Sequence, residues 1–403
     1  MSSGGFSQAR WRRMHEVMER HTEEGKVPGL VALVSRRGET QVEVAGRLAA
    51  DGAVPVRRDS IFRISSMTKP VTAVAALILL EECRLRLDEP VDRLLPELAN
   101  RRVLKRLDGP LDQTVPAQRP ISVRDLLSFR MGFGQMMAMP DAVPILKAAN
   151  ELQLGMGPPS PMSMPAPDEW LRRLGSLPLM LQPGERWMYN TGSDVLGVLI
   201  ARASGQSFED FLRERIFEPL GMKDSAFSVP PDKLERFATA YWINYMNGRD
   251  EVYDAAQGGQ WNQPPAFASG AGGLVSTADD FLAFSQMLLN RGRLGSVRIL
   301  SRPSVEAMIT DQLTPEQKLV PRWVDGGFEG RGWGFGVGMS TRRDEIAGSV
   351  GSYGWDGGLG TVWRNDPREE MSCILLTQRA WTSPVPPTIS SDFLSLAYQA
   401  IDD

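Results

Sequence analysis

The chain has 403 residues, 42% apolar and 23% charged, with a formal net charge of −4. This is the profile of a soluble globular protein long enough for one large domain or two lobes sharing a core. The charge offers no general attraction to nucleic acid or an anionic membrane, and no window reaches the ~18 apolar residues of a membrane span.

In chain order, MSSGGFSQARWRRMHEVMERH lacks the apolar core of a secretion signal. Two cysteines, Cys83 and Cys373, without metal-ligand spacing suit a reducing compartment. The expected location is the cytoplasm. Ala9–Glu24 reads as an amphipathic helix carrying the only two histidines, His15 and His21, six residues apart and so on different faces. Their confinement to this helix argues against a Ser-His-Asp triad, a Cys-His pair or a histidine-ligated metal. LVALVSRRG and TQVEVAGRLA read as a hairpin turning at Arg36-Arg37-Gly38.

A helix begins near Ser66, where Met67, Val71, Val74 and Ile78 recur at helical spacing. Pro70 is tolerated in its first turn. Helical patterns continue to about residue 310 in VRDLLSF, SDVLGVLIARASG, FEDFLRERIF and TADDFLAFSQMLLNRG. Residues 131–187 interrupt them. Seven of nineteen methionines fall between 131 and 164, mixed with prolines in MGPPSPMSMPAP. Proline density argues against a regular helix there. The flexible methionines suit a lid or acyl-pocket wall, the alternative being a loosely packed surface loop.

RGWGFGVGMST, EIAGSVGSYG, GLGTVWRND and MSCILLTQ then read as four strands, and a helix from 389 closes the chain. GFGVGM resembles a dinucleotide loop only loosely, because no helix follows it; G-x-S-x-G and Walker motifs are absent. Strands at both ends with helices between predict an α+β fold. Residues 9–80 and 325–403 form an antiparallel sheet lobe flanked by helices, 81–324 a mainly helical lobe, and the cleft between them suits a small-molecule site.

The chain has seven lysines against thirty-eight arginines, yet places Lys69 three residues after Ser66. Positions i and i+3 share a helix face, so the amine reaches the hydroxyl. A buried lysine can shed its proton and act as a base, which arginine cannot. Serine needs such a base to become a nucleophile. The bland alternative is a serine N-cap and a lysine extending to solvent. Ser65, the rival nucleophile, has no lysine at i+3.

FRISSMTKPVTAVAALILLEE resembles the nucleophile helix of the serine hydrolases that include class C β-lactamases, D,D-peptidases and family VIII carboxylesterases. Four further stretches agree in order. ISVRDLLSFRMGFG resembles the segment usually written H-T-S-G, here Phe129-Arg130-Met131-Gly132. PGERWMYNTGSDVLGVLIARASGQSFEDFLRERIFEPLGMKDSAF resembles the second catalytic motif and the following helices. GAGGLVSTADDFLAFSQMLLN is similar to a common structural helix, and GWDGGLGTVW stands in place of the third motif. The resemblance spans roughly residues 10–400 and implies a β-lactamase/transpeptidase-like fold.

The second motif matches the carboxylesterase form Tyr-x-x-x-x-Asp-x-x-Gly at Tyr189, Asp194 and Gly197, with Thr191 where lactamases place an asparagine. The third reads Trp355-Asp356-Gly357-Gly358 where lactamases carry Lys-Thr-Gly. No cation stands there, and Asp356 would repel a substrate carboxylate unless paired. The resemblance implies Ser66, Lys69 and Tyr189 as catalytic residues, with either Lys69 or a Tyr189 tyrosinate as the base, and the Ser66 and Gly358 amides as oxyanion hole. It implies Trp355, Asp356, Gly357, Thr191 and Met131 at the substrate. The expected activity is hydrolysis of short- to medium-chain carboxylic esters, small molecules being the partners, with no metal, cofactor, nucleic acid or membrane. A β-lactamase, D-amino-acid peptidase, amidase or transacylase is the alternative, and a non-catalytic binding module a further one. Oligomeric state is left open, a homodimer being compatible.

Overall fold

The computed structural model describes residues 4–136, 142–244, 248–319 and 328–403. The first helix, α1 (Gln8–Glu23), buries Trp11, Met14, Met18 and His21. The hairpin follows as β1 (Gly29–Arg36) and β2 (Glu39–Gly46), paired from Gly29↔Gly46 to Arg36↔Glu39. From the other end of the chain come β3 (Arg331–Trp333), β4 (Gly338–Ser340), β5 (Tyr353–Gly357), β6 (Thr361–Asp366) and β7 (Met371–Thr377). They join in the antiparallel order β3-β4-β5-β6-β7-β1-β2. The two chain ends thus meet at β7–β1 in mid-sheet, where every residue of both strands is buried.

Alternation along the strands feeds two separate cores, as the period of two requires. Leu30, Ala32, Val34, Val362, Cys373 and Leu375 pack against α1 and the terminal helix, Thr388–Gln399. Val31, Leu33, Trp363, Ile374 and Leu376 belong to the large core shared with the interior helices. Among these are α2 (Thr68–Glu81), α3 (Thr191–Ser204) and α4 (Ala278–Leu289). In α2 every side chain from Thr68 to Leu79 is buried, as expected of a helix that is apolar all round.

Three expectations need correction. First, α4 lies within 81–324 by sequence yet packs on the sheet. Phe281 and Phe284 meet Trp363, and Ser285 hydrogen-bonds Asn365 and Ser372. Second, the proline-rich segment contains two regular helices, Pro144–Glu151 and Pro167–Ser176, each beginning at a proline. Proline at the first helical position loses only an N–H that has no intrahelical partner. Residues 137–141 of that segment lie outside the described residues. Third, EIAGSVGSYG is irregular until Tyr353, with Gly348 and Gly351 both at φ +91°, and RGWGFGVGMST is two strands around a turn.

Candidate active site

The chain enters the site along a two-residue strand, Phe62–Arg63. Ser65 then takes a left-handed conformation (φ 46°), and a 3-10 turn, Ser65–Met67, runs into α2. This turn presents Ser66 to solvent while Lys69 is fully buried behind it. Lys69 Nζ lies 2.8 Å from Ser66 Oγ and donates at 2.6 Å to the Ala271 carbonyl. From the residue before a positive-φ Asn190, just ahead of α3, the Tyr189 hydroxyl donates to Ser66 Oγ at 2.9 Å. Trp355 Nε1 on β5 donates in turn to the Tyr189 oxygen at 2.8 Å. Lys69 Nζ is 4.4 Å from the centre of the Tyr189 ring. Ser66 Oγ is thus held by two groups from separate elements; Ser65 is buried at the turn.

Burial sets the protonation states. It disfavours the charged form of each group, pulling the Lys69 ammonium down to about 7 against the opposing charge of Asp194. It pushes the Tyr189 phenol up to about 12, opposed by its hydrogen bonds with Ser66 and Trp355. The Asp194 carboxyl is likewise raised to about 6 by burial, against hydrogen bonding from Ser269 and the charge of Lys69. Near neutrality the lysine can therefore be emptied of its proton while the tyrosine remains a donor.

Ser66 and Tyr189 open into a cavity of about 1290 Å³ that Trp355, Asp356 and Gly358 also line. One wall comes from the Met/Pro-rich segment, including Met156, Pro159 and Met164, and from Trp242. The segment is fastened there: Tyr253 donates to the Pro159 carbonyl, Ser160 to Gln260, and Gln135 to the Met156 carbonyl. At Gly357 a Cβ would stand 2.3 Å from the Ile64 carbonyl and 2.2 Å from Thr361 Oγ1, so only glycine lets β5 press against the serine turn. At Gly358 an added Cβ would meet open space. Thr191 and Met131 are buried away from the cavity, in the first turn of α3 and in the core.

Further groups complete the site beyond the catalytic residues expected there. Arg364, diagonally across from Asp356 on β6, clasps it with two hydrogen bonds. The third motif, read as lacking a cation, has one here, already neutralised. Phe129, Trp187, Trp333 and Trp355 pack around Tyr189. They supply the dry surroundings that raise its pKa. Phe129 has a positive φ of 59°, in the segment where the resemblance expects H-T-S-G. Ser269 and Ala271 bind Asp194; in the sequence they stand just before and within the start of the family-like stretch GAGGLVSTADDFLAFSQMLLN, which carried no expectation of a role at the site. Among the described residues no cluster of His, Cys, Asp or Glu could hold a metal ion, and no helix is long and apolar enough to cross a membrane.

Similarity to known proteins places the chain in a family. A family model described as Beta-lactamase matches residues 14–387, and the chain belongs to that family. An uncharacterized protein of Mycobacterium tuberculosis is 38% identical over 367 residues, covering 88% of this chain and 86% of that protein. Esterase EstB of Burkholderia gladioli is 30% identical over 391 residues, 92% of this chain and 90% of its own. Among solved structures, EstCE1, a hydrolase with promiscuous acyltransferase activity, matches with a TM-score of 0.78 at 24% identity. That match covers 98% of this chain and 99% of EstCE1, and it establishes the β-lactamase-type fold.

Proposed function

We propose that this protein is a serine carboxylesterase acting on short- to medium-chain esters through an acyl-enzyme on Ser66. The observation that carries this reading is the contact of one solvent-facing hydroxyl with both a buried lysine and a buried tyrosine, at 2.8 and 2.9 Å. Similarity to esterase EstB supports it.

In the proposed cycle Ser66 Oγ attacks the ester carbonyl as its proton passes to neutral Lys69. The oxyanion rests on the Ser66 and Gly358 amides, each such donor contributing about 3 kcal/mol where one has been removed from an enzyme. Tyr189 gives its proton to the departing alkoxide and is reprotonated from the Lys69 ammonium, leaving an acyl-serine and free alcohol. Water then attacks the acyl carbonyl, losing its proton along the same path, and the carboxylic acid leaves as Ser66 regains its hydrogen. With Tyr189 held near 12 and Lys69 near 7, the lysine is the base and the tyrosine the donor.

Lactam or peptide hydrolysis is disfavoured by the third motif. Trp355 and Asp356 replace the usual Lys-Thr, and Arg364 is already engaged by Asp356, so a substrate carboxylate finds no free cation among the residues of this motif. Acyl transfer to an alcohol is a second reading with its own observation. The cavity exceeds the roughly 300–1,000 Å³ of common small-molecule sites, which leaves room for an acceptor beside a short acyl group. EstCE1 is a hydrolase with promiscuous acyltransferase activity.

The test is turnover of p-nitrophenyl butyrate and nitrocefin by the native protein and Ser66→Ala. Ester hydrolysis lost in the variant, with nitrocefin slow, is expected. Survival of hydrolysis removes Ser66 from the mechanism, and fast nitrocefin turnover puts the lactamase first. Equal kcat/KM on acetyl, butyryl and octanoyl esters would overturn the acyl-length assignment.

A further inference from the structure

Asp194 belongs to the second motif, yet the cycle above gives it no task. It is 2% exposed, and a carboxylate taken out of water is costly unless something compensates it. A bland explanation is available: it occupies the first turn of α3, where acidic side chains favour the helix dipole. Its hydrogen bonds lead elsewhere. Oδ1 accepts from Ser269 Oγ at 2.7 Å and from the Ala271 N–H at 3.1 Å. The carbonyl of that same Ala271 accepts from Lys69 Nζ at 2.6 Å.

The segment 269–271 is thus a bridge from the carboxylate to the lysine, fixed from both helices. Thr72 of α2 donates to the Gly270 carbonyl at 2.7 Å. A Cβ on Gly270 would stand 2.4 Å from the Ser193 carbonyl and 3.1 Å from the Thr72 methyl, so the bridge fits only as glycine. Among the described residues, Lys69 donates to Ser66 and Ala271 and forms no ion pair with Asp194. The carboxylate acts on it through one residue of backbone and through the field.

We propose that Asp194 is a positioning residue for Lys69: its hydrogen bond from the Ala271 N–H pins the carbonyl that aims the amine at Ser66, and its buried negative charge acts on that amine across the same segment. This rests on the reading of Ser66 and Lys69 as nucleophile and base. The other ionisable groups facing the pair are Tyr189, ahead of α3, and the Asp356–Arg364 pair on β5 and β6. Neither is altered by the substitutions below.

The sign is definite. A neighbouring anion favours the ammonium, so removing it makes Lys69 easier to deprotonate. In Asp194→Asn, which keeps an acceptor oxygen and the volume, the acid limb of kcat/KM for p-nitrophenyl butyrate should move to lower pH by about 1 unit. Its plateau should fall about 10-fold or more as the anchor loosens. Ser269→Ala keeps the charge and loosens only the anchor, so kcat should fall several-fold with the limb in place. An active Asp194→Asn enzyme with an unmoved limb, or a limb moved to higher pH, overturns the proposal.

A stability cycle decides the matter without activity. Lys69→Met strands the buried carboxylate, so adding Asp194→Asn to it should raise the melting temperature, whereas equal melting temperatures refute the charge linkage. Native protein and Ser66→Ala run alongside. An inactive native protein or an active Ser66→Ala sinks the esterase reading, while the limb shift and the stability cycle bear on Asp194 alone.

Discussion

Two buried cations stand six residues apart in the sequence and are treated in opposite ways. Arg63 and Asp254, each 2% exposed, are in direct contact. Arg63 also donates to the Ala238 and Ala255 carbonyls and lies over the Phe237 and Trp261 rings. Burial lowers it only to about 10, so it stays charged and ties the strand leading to Ser66 to the segment around 254. Lys69 also has a buried carboxylate in its field, but Ala271 stands between them and its amine faces Ser66. The difference is one of reach and of proton. A guanidinium clasped by its counter-ion fastens a strand, whereas an ammonium kept one residue away from its counter-ion can still be emptied. Residue type and spacing from the carboxylate together separate a fastener from a base.

The comparison breaks most visibly if Lys69 is given the chemistry of Arg63. Lys69→Arg should lower kcat/KM for p-nitrophenyl butyrate by roughly 10³–10⁴-fold, with no recovery between about pH 6 and 8, because a guanidinium stays protonated there. The converse is Arg63→Met, which leaves Asp254 buried without its partner. Chemical denaturation should register a loss of about 3–5 kcal/mol, while kcat per folded molecule at low temperature remains near native.

The proton donor comes next. Tyr189→Phe should cost about 10²-fold in kcat, and less on p-nitrophenyl than on ethyl esters, since nitrophenolate leaves without protonation. Comparing the two substrates checks the assignment directly. Smallest is Trp355→Phe, which removes one hydrogen bond to the Tyr189 oxygen and should cost about 10-fold in kcat, the equivalent of about 1.4 kcal/mol.

The strands and helices with strong periodicity were legible from the residues alone. The first helix is displaced by one residue from its expected span, and the hairpin turns at Arg37-Gly38. Elements governed by terminal chemistry were not. Proline in 144–151 and 167–176 reads as a breaker until its position at the helix start is known. At the site, the short-range pair Ser66 and Lys69 is visible because three residues on a helix fix its geometry. Tyr189 and the third motif came from resemblance, not from spacing.

The groups that tune them are brought from far away in the chain. Asp194 is 125 residues from Lys69 and meets it through Ala271, and Arg364 reaches Asp356 only because β5 and β6 pair in that register. Met131 and Thr191 illustrate the reverse error. A motif position carries over a backbone location, but here the side chains at both positions are consumed by the core.

The most direct test of the central claim, that a lysine made neutral by burial activates Ser66, is the pH dependence of kcat/KM for p-nitrophenyl butyrate with the native protein. This quantity reports ionisations of the free enzyme. Activity should rise with pH through a single limb near 7 and be lost below it, following the Lys69 amine. A limb near 10 or above, or a rate that stays level down to pH 5, would contradict that claim and hand the task of base to another group.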